Sequence, residues 1–326
     1  MDDPLENLGE KIETRELSTG ETVLDLRQQA WHRFTRHRLA IVATCFLLIL
    51  AAFVLIYPRY SAYGPEDLSD SQFQPPSAAH LLGTDAHGRD LLVRLCYGAQ
   101  ISFLVGIVGA TVSLVIGVLW GAIAGYAGGR LDGAMMRFVD VLYSMPTIIF
   151  AMVLMSAVEP SLNSWLGHLH VGRLHFENPA KAARLVLLFV GLGAVSWLTM
   201  ARIVRGQVLS LRSRQFVDAS RALGASPLRI LTRHIIPNVL GVVIVYLALT
   251  IPAIILYESF LSYLGLGIQA PMASWGSLIA EGAGQINPIR IYWWLIVFPG
   301  GLMVMTLLAL NFVGDGLRDA WDVKGN

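Results

Sequence analysis

Gln215-Phe-Val-Asp-Ala-Ser-Arg-Ala-Leu-Gly-Ala-Ser-Pro-Leu-Arg-Ile-Leu-Thr-Arg-His-Ile-Ile-Pro-Asn238 is a polar interval between two long apolar blocks. Its local chemistry predicts two short helices joined by a tight turn. Gln215–Leu223 makes the first, and Gly224 follows at the position where glycine tolerates the left-handed backbone that ends helices. Ser226 is a good N-cap, and Pro227 sits at the first helical position, where a missing N–H costs little. The second helix is expected to run to about Ile236, with Pro237 redirecting the chain into the next apolar block. Between soluble segments such a pair would read as a helix-turn-helix for DNA. Between membrane spans it is a knob that projects into water, and nucleic acid is not an expected partner.

The blocks on either side set the class of protein. Of 326 residues, 55% are hydrophobic and only 14% charged, and the mean hydropathy is +0.58. A soluble domain carries about 25% charged residues, so the composition points to a membrane protein. The formal net charge of +1 excludes a globally basic nucleic-acid binder. Two cysteines, Cys45 and Cys96, cannot build a disulfide framework or a four-thiolate zinc site.

A helix needs roughly 20 apolar residues to cross the hydrocarbon. Leu39–Tyr57, Ile101–Gly125, Val141–Val158, Leu185–Ala201, Val239–Tyr257 and Ile291–Val313 give six candidate spans, and the expected fold is an all-α polytopic membrane protein. The acidic start and long leader argue for an uncleaved first span. Lys and Arg gather in alternate connections. Counting the N-terminal tail, the second and fourth connections and the C-terminal tail, 17 of the 24 cations share one side, with seven between Arg202 and Arg233. The positive-inside rule then puts both termini in the cytoplasm, consistent with an even number of spans. The organisation is thus a tail and surface helix at 1–38, a first span at 39–57, an external loop at 58–100, a core at 101–313 that includes the knob at 215–236, and a tail at 314–326.

Within Leu26–Arg38, Trp31 and Phe34 alternate with cations, as in a helix lying on lipid or a simple charged anchor. In the second span Gly109, Ser113, Gly117, Gly121 and Gly125 recur every four residues, a stripe along which another helix backbone can approach closely. Pro146, Pro252 and Pro299 fall within the third, fifth and sixth spans and are expected to kink them. Before the second span the loop turns helical near Asp90–Tyr97, with Thr84 or Asp85 as cap and a local pair between Arg89 and Asp90. Between the third and fourth spans, His168, His170, His175 and Glu177 have spacing that a transition metal could use, although a solvated loop is the default reading. Asp140, Glu159 and Glu258 fall at or just beyond span ends, and Glu258 is the best candidate to face a translocation path.

The knob resembles the EAA loop of bacterial ABC importer permeases. That pattern has Glu-Ala-Ala, three residues, Gly, and later an Ile-x-Leu-Pro-like ending; here stand Asp218-Ala219-Ser220, Gly224 and Ile235-Ile236-Pro237. Further pieces are similar to the C-type dipeptide and oligopeptide permeases in the same order. They are Leu82-Gly-Thr-Asp-Ala-His-Gly-Arg-Asp90, Gly125-Tyr-Ala-Gly-Gly-Arg-Leu-Asp132, Asp140-Val-Leu-Tyr-Ser-Met-Pro146, Leu261-Ser-Tyr-Leu-Gly-Leu-Gly267 with Ser274-Trp-Gly276, and Gly314-Asp-Gly-Leu-Arg-Asp-Ala320.

The resemblance implies the type I importer permease fold in a bacterial inner membrane. It also implies a pore shared with a second, homologous permease, two cytoplasmic ATPase subunits beneath, and an extracytoplasmic solute-binding protein above. Asp218, Ala219, Ser220, Leu223, Gly224, Ala225 and Pro237 would form the ATPase-coupling surface. This chain would bind no cofactor, ATP and Mg being used by the partner ATPases, and membrane lipid would be a further partner. In agreement, the phosphate-binding pattern G-x-x-x-x-G-K-[ST] does not occur. A self-contained secondary transporter or channel is the competing reading, and its usual mark is ionisable groups at mid-membrane depth. An intramembrane enzyme is disfavoured, because H-E-x-x-H and G-x-S-x-G are both absent from the sequence. Dipeptides, oligopeptides and nickel chelates are all substrates compatible with the resemblance.

Overall fold

A computed structural model describes residues 26–168, 185–268, 272–287 and 289–321. The acidic tail at 1–25 and the loop residues His170, His175 and Glu177 lie outside the described residues. Among the described residues ten helices follow one another: α1 Leu26–Arg36, α2 Arg38–Tyr60, α3 Leu91–Ala127, α4 Gly129–Tyr143, α5 Thr147–His168, α6 Leu187–Arg212, α7 Gln215–Ala222, α8 Pro227–Tyr263, α9 Trp275–Gly284 and α10 Trp294–Trp321. Six of them (α2, α3, α5, α6, α8 and α10) are long and apolar enough to cross a membrane. Among the described residues extended pairing is limited to one isolated bridge, Thr84 to Asp90.

The centre is α3 packed along α6. In lipid, helices gain little by hiding apolar surface from one another, so association depends on close packing. A Cβ added at Gly117 would come within 2.6 Å of Met200 Cβ, one at Gly121 would overlap the Ala201 carbonyl, and one at Gly125 would lie 2.9 Å from the Arg205 carbonyl oxygen. Gly109 faces α8 at Ile254, and Ser113 is fully buried. Outside this seam, α10 packs on α2, α8 and the short α9. α1 rests against the far end of α10, where its Phe34, together with Ala40 of α2, lies over Gly316.

Several boundaries differ from the sequence expectation. The third span starts at Thr147 instead of Val141, because Val141–Tyr143 end a separate amphipathic helix, α4. Pro146 therefore stands in the turn before α5 and kinks nothing. Nor does Pro237 redirect the chain. The second helix of the knob runs on through a π-helical turn, Leu231–Ile235, into the fifth span. A π turn shifts the hydrogen-bond ladder by one residue, which accommodates the proline's missing N–H. α3 begins at Leu91, so the last ten residues assigned to the external loop are its first turns. Its cap is Asp90, accepting from Val93 N–H at 3.0 Å, in place of Thr84 or Asp85. Pro252 and Pro299 do lie inside α8 and α10. Cys45 and Cys96 are free thiols.

Candidate functional site

The knob comprises α7, the Gly224 turn and the first turns of α8. Val217, Ile230 and Ile235 are buried against Val204 and Val208 of α6 and Ala122 of α3, rooting the knob in the bundle. Gly224 has φ +77, a left-handed conformation costly for other residues. Ser226 accepts from Arg229 N–H at 3.4 Å as the N-cap, with Pro227 at the first helical position. What the knob offers to water is apolar at its tip: Leu223 is 88% and Leu228 70% exposed, and Phe216 is exposed beside them. Asp218 and Ala219 are exposed, Ser220 is half-buried and donates to the Phe216 carbonyl at 2.8 Å, and Ala225 packs inward. Asp218 pairs with Arg221 at 3.0 Å in water, where such a pair contributes little. Pro237 lies exposed in the fifth span's first turns.

Behind the knob, α6 is fastened to the corner between α3 and α4 by three arginines. Arg205 grips Asp132 with both Nε and Nη2, at 2.5 and 2.6 Å. Arg202 donates to Asp140 at 2.8 Å and lies 4.0 Å over the Tyr143 ring. Arg212 donates to the Tyr126 carbonyl at 2.9 Å, at the negative end of α3. Gly128, at φ +66, leaves room for that guanidinium. The Arg205 fork holds the Asp132 carboxyl below the usual carboxylate range, against the opposing effect of burial.

Two further polar clusters lie on the other half of the molecule. Glu258 is within α8 and not beyond its end; it is fully enclosed and accepts from Ser262 at 2.6 Å, Ser102 at 3.2 Å and Ser259 at 3.4 Å. Arg94, 1% exposed in its side chain, bridges Asp85 at 2.7 Å and Glu281 of α9 at 2.6 Å. Arg89 joins Asp85 and Glu281, while Asp90 pairs with His80 at 2.9 Å; the local Arg89–Asp90 pair is not what forms. Burial opposes ionisation of Asp85, yet N–H groups of Arg89 and His87 and the two guanidinia hold its carboxyl below the usual range.

The structure thus gathers the predicted coupling residues into one knob, sets the glycine stripe 109–125 on the α3 seam, and seals Glu258 away from open volume. Sequence reasoning missed Phe216 and Leu228; their signal was apolar character out of step with the buried set Val217, Ile230 and Ile235. Asp132–Arg205 and Asp140–Arg202 had no local signal, being 73 and 62 residues apart.

The profile of a family described as binding-protein-dependent transport system inner membrane component matches residues 117–324. This chain belongs to that family. A second profile, the N-terminal transmembrane domain of oligopeptide transport permease C, matches residues 26–76 of the permease. The oligopeptide transport system permease protein OppC of Haemophilus influenzae is 42% identical over 99% of this chain and 95% of its own length. The dipeptide transport system permease protein DppC of Bacillus subtilis is 40% identical, over 92% and 87%. In three dimensions the permease resembles a chain of the inward-facing MetNI methionine ABC transporter. The TM-score is 0.52 at 21% identity, covering 71% of this chain and 97% of that one, a likeness of fold. This is therefore an inner-membrane transport component, with six helices among the described residues long and apolar enough to span the membrane.

Proposed function

We propose that the chain forms half of the translocation pathway of an ATP-driven importer of dipeptides or oligopeptides. A second homologous permease supplies the other half, two ATPase subunits engage the knob at 215–236 from the cytoplasm, and an external binding protein delivers the solute. The substrate class follows the names of the OppC and DppC relatives, which align over nearly the whole chain. The knob carries the mechanical reading: it exposes Phe216, Leu223 and Leu228 to water while Val217 and Ile230 tie it rigidly to α3 and α6. Apolar side chains this exposed on a rigid, solvated element fit a partner groove. When two ATPases close on ATP, differential affinity for two knob positions couples nucleotide to the spans.

The test is assembly. Purified with its co-expressed partners, the wild-type chain retains the ATPase subunits, whereas Leu223→Asp, Asp218→Arg and Gly224→Pro lose them while still inserting in the membrane. Retention in all three variants overturns the assignment of the knob. Solute uptake by liposomes holding the purified chain alone would instead favour a secondary carrier.

A further inference from the structure

Arg202, Arg205 and Arg212 lie on one side of α6, in its last turns before the knob. Positions i, i+3 and i+10 fall within about 80° of one another on a helix and span about 15 Å along it. Each is engaged, and all three engage one corner: Arg212 the carbonyl end of α3, Arg205 the buried Asp132 on α4, Arg202 Asp140 and Tyr143 at the end of α4. α4 in turn leads through three residues into the third span. The glycines on the other strand of this contact matter too. Gly121 and Gly125 bring the α3 backbone against α6 at Ala201 and Arg205, leaving the two helices little freedom to slide.

We propose that these three arginines are positioning residues that make the knob, the inner end of α6 and the α3–α4 corner one rigid body. A push on α7 then moves the second and third spans together instead of bending α6 alone. Covalent continuity would otherwise send that push only along α6 and, through the π turn at Leu231–Ile235, along α8. The π turn interrupts the regular ladder on that second route, whereas the arginine side has at its centre a bidentate fork from half-buried Arg205 onto buried Asp132. Arg205–Asp132 is the main fastener; Arg202–Asp140 is more exposed and weaker. The proposal rests on the reading of the knob as the ATPase-docking element.

The experiment uses the purified complex, with Cys45 and Cys96 replaced by alanine and spin labels at Gln215→Cys on α7 and Ala134→Cys on α4, both exposed. Trapping with ATP and vanadate leaves the distance between the labels unchanged to about 2 Å, the scale of ordinary helix shifts. In Asp132→Asn the same trapping changes or broadens that distance. Stimulation of ATP hydrolysis by the binding protein also falls at least about fivefold, the lower range for coupling between sites, with basal hydrolysis maintained. Exchanging the charges, Asp132→Arg with Arg205→Asp, restores both readouts, as a direct pairwise interaction requires.

The brace is overturned if the unsubstituted chain changes its label distance on trapping. It is equally overturned if Asp132→Asn leaves distance and stimulation as they were, or if the exchanged pair recovers stable assembly without recovering either. Absence of ATPase subunits from the unsubstituted complex would instead remove the docking reading beneath it, a failure seen before any nucleotide is added.

Discussion

At Gly121 the methyl of an alanine would have to occupy the space of the Ala201 carbonyl and lie 2.9 Å from Val204 Cβ, and backbone cannot step aside as a flexible side chain can. Gly121→Ala is therefore expected to destabilise the folded chain in detergent by about 1–3 kcal/mol, the usual cost of overpacking. Gly133, on α4, meets nothing within 4 Å. There an alanine gains roughly 0.5–1 kcal/mol of helix preference. Denaturant unfolding of the two variants decides, and equal effects would contradict the packing argument. The stripe was visible as a spacing of four, but which glycines are indispensable was not, since that depends on whether backbone or side chain lies opposite. Asp85 gives a second residue-scale expectation. Its carboxyl is held below its ordinary value. The stability it contributes is thus complete above the ordinary carboxylate pKa of about 4 and lost only as pH falls through the lower folded value. The contribution of Asp85 to protease resistance of the 61–90 loop, read as the difference from Asp85→Asn, should stay flat from about pH 8 to pH 5, and a transition of that difference inside the interval would refute the pairing described.

Helix α9 shows what fastens an element when apolar contact alone is weak. Ser274 caps it, Gly276 lets its first turn touch the backbone of Ser259, and Glu281 ties its other end to Arg94. Arg94 is almost wholly buried, while the Glu281 side chain is 38% exposed. Removing the cation leaves Asp85 buried with a weakened partner set, whereas removing Glu281 leaves a guanidinium still bound to Asp85. Arg94→Gln should accordingly cost about 3 kcal/mol and Glu281→Gln about 1 kcal/mol. Unfolding measurements that reverse this order would show the exposed carboxylate, not the buried cation, to be the anchor.

The same network explains where span boundaries escaped the sequence. A charge-free second span beginning at Ile101 leaves out the first turns of α3, where the charge of Arg94 is met by Glu281, 187 residues away. Glu258 likewise closed the fifth span at Tyr257, though Ser102, Ser259 and Ser262 allow it to be buried. Hydropathy counts residues singly and cannot register a partner that only the fold supplies. The knob was legible, by contrast, because caps, the turn glycine and the N1 proline act within a few residues. At its far end the reading failed at Pro237, where a π turn, which needs no special residue, kept the helix going.

For the whole molecule, the six spans were readable from length and polarity, and the remaining question is which side of the membrane each connection occupies. The cations supply an expectation to test: 17 of 24 fall in the tails and in the second and fourth connections, which the positive-inside rule would put on the cytoplasmic side. The fold makes the consequence specific. The corner at Gly128, the three arginines of α6 and the knob belong to one end of the bundle, and the 61–90 loop with α9 belongs to the other. With Cys45 and Cys96 replaced by alanine, a single Gln72→Cys should react with a membrane-impermeant maleimide in intact spheroplasts. Ser213→Cys should react only after permeabilisation, since Gln72 and Ser213 are both exposed in the structure and so differ in sidedness alone. The reverse labelling would place the knob outside, beyond the reach of ATP, and would overturn the importer mechanism as well as the topology. Labelling of both residues in intact cells would break the assignment of spans between them, because opposite sides require the odd number of crossings that α3, α5 and α6 supply.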